Sequence, residues 1–165
     1  ACRSSKELTL EVWIQPANVN QDGPARILSI SSSKTERNVT LGQGLYGSHA
    51  PDIYMTRLRT TRTSTNGLPA VVTPAGVATT ELTHVVYTRR ADGQATLYVN
   101  GQDRGVLNVA GDFSTWDDRM PLLLANEMSS DRPWLGVFRL AAIYSRALKA
   151  AEVVPARPLL LAARV

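Results

Sequence analysis

Two hairpin signals in succession, between Glu81 and Gly105, constrain this chain more than any other feature. Val85-Val86-Tyr87-Thr88 is a β-branched and aromatic run that Ala91-Asp92-Gly93 breaks. Thr96-Leu97-Tyr98-Val99 follows, and Asn100-Gly101 closes it. Asn-Gly suits a two-residue type I′ turn, because both central residues need positive φ, which Asn tolerates and Gly accepts freely. Three antiparallel strands joined by tight turns form a meander, the unit of all-β sandwiches. Leu97 and Val99 are therefore expected to face a shared interior.

The flanking sequence extends the pattern. Leu8, Leu10, Val12 and Ile14 fall on one face of an early strand, and Glu7, Thr9, Glu11 and Trp13 on a wetter one. Pro16 ends that ladder. After the turn cluster Gln21–Pro24, Arg26 to Ile30 reads as a strand in which Ile27 alternates against Leu28 and Ile30. Asn38 to Leu41 and Tyr54 to Arg62 read as strands, the second carrying Met55, Arg57 and Arg59 on one face. Thr63 to Gly76 is a long surface excursion rich in Thr, Pro, Asn and Gly. Val106 to Val109 completes the third strand of the meander, and Leu122 to Ala125 reads as a buried strand. Trp134 to Tyr144 is a late strand, Ala147 to Val153 a short helical turn, and Leu159 to Val165 a final strand.

Several segments together resemble one family. HVVYTRRADGQATLYVNGQDRG (84–105) is similar to the central hairpin of laminin-G-like domains, members of the concanavalin A-like lectin/glucanase jelly rolls. LTLEVWIQP (8–16) resembles the family's early strand, and LGVFRLAAIYSRALKAAEV (135–153) its late strand with the Tyr-x-Arg-Ala-Leu turn. The resemblance implies an all-β, antiparallel two-sheet jelly-roll sandwich spanning residues 1–165 as a single domain of a larger multidomain protein, with flanking domains as neighbours. It implies an extracellular or periplasmic location. Relatives carry a strand ahead of the Leu8 segment, which here is missing or very short; Leu159–Val165 covers that gap, or an edge stands open. Arg139 and Leu82 also depart from the family, standing where relatives often have an acidic residue and a tryptophan.

Composition narrows the function classes. At 165 residues with 44% hydrophobic content, the chain can bury a real core, and no apolar run reaches membrane-spanning length. Its formal net charge of +4 is spread along the sequence, with no basic run and no recognition helix, so nucleic acid is not an expected partner. The excess favours anionic partners such as acidic glycans. The single cysteine, Cys2, has no partner for an intrachain disulfide.

Catalytic patterns are weak. Retaining glycosidases need two carboxyl groups about 5 Å apart. The nearest match, Glu7-Leu-Thr-Leu-Glu11, places Thr9 where the glucanases of this fold have Asp. Along a strand its two glutamates sit about 13 Å apart. They read as solvent-facing charges. With two histidines, no Gly-x-Ser-x-Gly and a terminal cysteine, neither nucleophilic catalysis nor a zinc site is supported.

The expected function is a non-catalytic module that binds carbohydrate or a protein surface. The alternative is a structural domain that packs against its neighbours without a ligand. Candidate ligand contacts are Trp116 and Asp117 in an acidic-aromatic loop, with Arg57 and Arg59 on one strand face. Arg57, Arg59 and the Arg89-Arg90 pair would face an acidic glycan or pair with Glu7, Glu11 or Glu81. Calcium is the one cofactor to consider, since it takes oxygen donors from loops at a sheet rim. Asn126, Glu127 and Asp131 are the candidate ligands; the same residues also suit ordinary loop hydrogen bonding and ion pairing.

Overall fold

The turn at Asn100-Gly101 forms as its residues dictate. In the computed structural model, which describes residues 1–44 and 47–155, Asn100 takes φ 52° and Gly101 φ 77°. This turn joins β7 (Gln94–Val99) to β8 (Gln102–Asn108), and Gly93 at φ 95° precedes β7 after β6 (Thr83–Arg89). The Asn100 side chain fixes the turn further by accepting the His84 backbone N–H at 2.9 Å. Register then places Val85 opposite Val99 and Tyr87 opposite Leu97.

β1 (Leu8–Pro16) pairs with β6 on one side and with β10 (Gly136–Tyr144) on the other. The first sheet thus runs β10-β1-β6-β7-β8. The second comprises β2 (Ala25–Ser31), β3 (Arg37–Gln43), β4 (Tyr54–Leu58), β5 (Val71–Val72) and β9 (Leu122–Leu124), in the order β5-β4-β3-β2-β9. Every pairing is antiparallel. The inner faces meet in one core: Leu8, Leu10, Val12, Ile14, Tyr87 and Leu97 from the first sheet pack with Ile27, Leu28, Val39, Leu41 and Tyr54 from the second. Each such aliphatic side chain contributes about 1.5–3 kcal/mol on burial. Leu97 and Val99 face inward as expected.

Five local readings change. Thr9 and Trp13 are buried, Thr9 because the chain after β10 returns over it. Thr9 donates to the Arg146 carbonyl at 2.7 Å, and Trp13 stacks on His84 at 4.8 Å. Ile27 and Leu28 both join the core, since β2 shifts register against β3 between Arg26 and Leu28. β4 ends at Leu58, and the excursion beyond it contains the two-residue β5. β9 is an edge strand, so Leu122 and Leu124 remain 53% and 46% exposed although they pair with the inward positions Ile30 and Leu28. Where relatives have a leading strand, the chain forms the four-residue helix α1 (Cys2–Ser5).

The helical turn near 147–153 is a 3₁₀ turn, Ala150–Glu152, capped by the Lys149 N–H donating to Glu152 at 2.9 Å. The expected strand Leu159–Val165 lies outside the described residues. Among the described residues, no helix is long and apolar enough to cross a membrane.

Candidate functional site

The outer face of the second sheet carries cations where a sandwich of this kind could carry any polar residue. Register sets Arg26, Gly42 and Met55 in one outward row and Ser29, Thr40 and Arg57 in the next, alternating with the inward row Leu28, Leu41 and Thr56. Arg37 opens β3 on the same side and donates to Thr40 at 3.1 Å. Loops fold over this face, leaving Arg26 at 2%, Arg37 at 0% and Arg57 at 4% exposure.

Each guanidinium has its own partners. Arg26 donates to Glu127 at 2.9 Å and to the Pro24 carbonyl at 2.8 Å. Arg57 donates to the Asn66 side-chain oxygen at 3.0 Å. Arg37 also donates to the Lys34 carbonyl, while its buried Nε–H finds no acceptor among the described residues. Glu127 is the one fully buried carboxylate among the described residues.

Burial, and then the charges of Arg26 and Arg57, push Arg37 down to about 9. It therefore stays a cation at neutral pH. Burial also lowers Arg26, with Glu127 opposing the fall. Above these groups opens a cavity of about 430 Å³ lined by Pro24, Arg26, Lys34, Arg57, Asn66 and Arg132. Five loops or strands distant in sequence meet there.

Of the expected ligand contacts, only Arg57 lines this cavity. Trp116, Asp117 and Arg59 form a separate cluster. The Trp116 indole N–H donates to the Arg59 carbonyl at 2.8 Å, and its ring, half-buried, stacks on Phe113 at 4.7 Å. Asp117 holds Arg119 through two hydrogen bonds of 3.0 and 2.9 Å, which pull its carboxyl down to about 2. Arg59 faces Glu36 at 3.7 Å. Arg89 neither faces solvent nor pairs with a glutamate; it is buried and donates to backbone carbonyls.

The calcium candidates have their oxygens engaged. Glu127 binds Arg26 and accepts from Ser129 at 3.3 Å. Asn126 accepts the Glu127 backbone N–H at 2.9 Å. Asp131 accepts from Ser129 and faces Lys34 at 3.6 Å. Among the described residues, no three His, Cys, Asp or Glu side chains are grouped as a metal ion would need.

Glu7 and Glu11 are not the free surface charges their spacing suggested. Glu7 accepts the Ala147 N–H at 3.1 Å. Glu11 sits 2.8 Å from His84 Nε2 and accepts the Tyr144 hydroxyl at 2.7 Å.

Arg26, Lys34, Arg37, Asn66 and Arg132 escaped sequence reasoning because their meeting depends on register across three strands and on loop paths. The one local trace was Arg26 at the head of an apolar run, an outward position that burial alone would not reveal.

Two antiparallel sheets of five strands packed face to face make a β-sandwich, with a basic cavity on one outer face. The family described as the concanavalin A-like lectin/glucanases superfamily matches residues 2–154, and the chain belongs to it. No curated protein matches the sequence. Among solved structures, the chain is similar to the CBM40 module of a Ruminococcus gnavus IT-sialidase bound to α2,3-sialyllactose. That likeness has a TM-score of 0.67 and 18% identity, covering 89% of this chain and 80% of that one. It is also similar to domain 4 of a GH43 extracellular arabinanase from Geobacillus stearothermophilus in complex with arabinotriose. There the TM-score is 0.60 and the identity 17%, with 90% of this chain and 65% of that one covered. A Bacteroides ovatus protein matches at TM-score 0.68 and 16% identity; the chain spans 40% of its length. These likenesses are of fold, and carbohydrate-binding modules are among the neighbours.

Proposed function

We propose that this domain is a non-catalytic carbohydrate-binding module of an extracellular or periplasmic protein, which takes its ligand on the outer face of the second sheet. The observation that carries the reading is the cavity lined by Arg26, Lys34, Arg57, Asn66 and Arg132, where donors of several geometries converge on a rigid sheet. Structural neighbours solved with sialyllactose and with arabinotriose support a saccharide as the ligand class. The non-catalytic part of the reading is supported by Glu7 and Glu11, the nearest match to a glycosidase pair, whose carboxylates hydrogen-bond Ala147, His84 and Tyr144.

A second reading, a structural domain that packs against a neighbour, has its own observation. Leu122, Leu124, Leu135, Val137 and Leu140 stay exposed along the edge strands β9 and β10 and the segment before β10. A glycan array run in calcium and in chelator separates the readings. Binding in either condition supports the module, and silence in both favours the packing domain. Calcium-supported binding requires the Asn126–Asp131 loop to release oxygens now held by Arg26, Ser129 and Lys34. A signal present only with calcium supports that version, and equal signals in the two conditions sink it.

A further inference from the structure

We infer that the group recognised in this cavity is an anion, the carboxylate or sulfate of an acidic glycan. The inference rests on the carbohydrate-binding reading and adds the chemical class of the ligand. Four cationic side chains line the cavity, Arg26, Lys34, Arg57 and Arg132, and a fifth, Arg37, is buried near two of them. Two carboxylates accompany them, Glu127 on Arg26 and Asp131 on Lys34. Arg37 is buried and does not line the cavity, but Arg26 and Arg57 are close enough to oppose its charge.

Like charges held this close in a partly desolvated site repel one another, and a bound anion would turn that repulsion into attraction. Among the described residues the buried Nε–H of Arg37 finds no acceptor. Guanidinium groups are also the side chains whose planar donor forks fit carboxylate and sulfate oxygens. Asn66 fixes one end of Arg57 through its side-chain oxygen, which leaves the amide N–H₂ of the same residue to meet a sugar hydroxyl beside the anion. The cations converge from separate loops and strands onto one open cavity of about 430 Å³ rather than running as a stripe, a size that fits one charged sugar unit better than a long polyanion backbone.

The test is an array of neutral, uronate-bearing and sulfated oligosaccharides, printed side by side and probed in about 0.1 M and about 1 M NaCl, between which the screening length falls from about 10 Å to about 3 Å. Acid-bearing glycans are expected to bind about tenfold or more tightly than neutral ones at low salt, and to lose most of that advantage at high salt. The uronate and sulfate arms say which anion is preferred. Arg132→Ala and Lys34→Ala remove rim charges, and Arg57→Gln removes a floor charge; each should weaken acidic binding several-fold while a melting curve confirms that the domain is folded. Arg57→Lys should recover part of the loss.

Binding to neutral glycans alone overturns the anion while leaving the module intact. Acidic binding that all three folded variants retain overturns the location. No binding to any arm overturns the carbohydrate reading itself, and the anion with it.

Discussion

Replacing Glu127 by alanine will destabilise the domain by about 3–5 kcal/mol, because it strips a buried cation of its counter-charge. Glu127 and Arg26 sit 2.9 Å apart with side chains 0% and 2% exposed. Their attraction acts in a medium of low dielectric, and neither ion can recover its hydration while the fold persists. Arg37 aggravates the loss, since Arg26 already opposes its charge and Glu127 is the carboxylate that offsets it. In a domain of this length the change lowers Tm by roughly 6–20 °C.

A paired control separates lost packing from stranded charge. Arg26→Met with Glu127→Leu removes both ions together and should recover most of the stability, as apolar replacement of a buried pair often does. Denaturant melts of wild type, single and double variants decide the matter. A Glu127→Ala variant within about 1 kcal/mol of wild type would show that water reaches the pair and that the site is less enclosed than the structure has it.

The second large effect lies at the opposite sheet. Arg89→Met is expected to cost about 3–5 kcal/mol by orphaning carbonyl oxygens that the guanidinium now satisfies. Arg89 ends β6, is fully buried, and donates to the Lys6 carbonyl at 2.6 Å and the Val109 carbonyl at 2.9 Å, with a further bond to Gly111. Its charged plane lies 5.1 Å from the centre of the Phe113 ring. One side chain thereby joins the segment before β1, the end of β6 and the loop after β8. Methionine keeps much of the stem's packing but donates to none of those oxygens. Arg89→Lys should restore only part of the loss, because an ammonium cannot reproduce the fork. Equal stability of the methionine variant in a urea melt would mean the carbonyls find water instead.

Much of the fold could be read from local chemistry. Asn100-Gly101 announced its turn, and the alternation of Leu8, Leu10, Val12 and Ile14 announced a core face, since both depend on neighbours in sequence. The misreadings occurred where distant segments decide. Thr9 looks solvent-facing until the chain after β10 covers it, and Trp13 until it stacks on His84 of a neighbouring strand. Leu122-Leu123-Leu124 looks buried until its strand proves to be the last of its sheet. Of the residues that line the cavity, only Arg57 was legible, because alternation placed it on a polar strand face. Its companions arrive from β2, the loop before β3, the loop after β4 and the loop before β10, so nothing in their spacing could gather them. Trp116 drew attention as an aromatic in a polar loop, but half its ring and its indole N–H are spent on Phe113 and Arg59.

The outer face of the second sheet is the centre of this account. Its most direct test is to titrate isotope-labelled protein with the tightest-binding acidic glycan and follow the arginine Nε–H and backbone amide signals. The account predicts that Arg57 and Arg132 shift together with the amides of Gly23 and Asn66, while the Trp116–Arg119 loop stays still. Shifts confined to that loop, or to the Glu7 and Ala147 face of the first sheet, with the Arg57 signals unmoved, would contradict it.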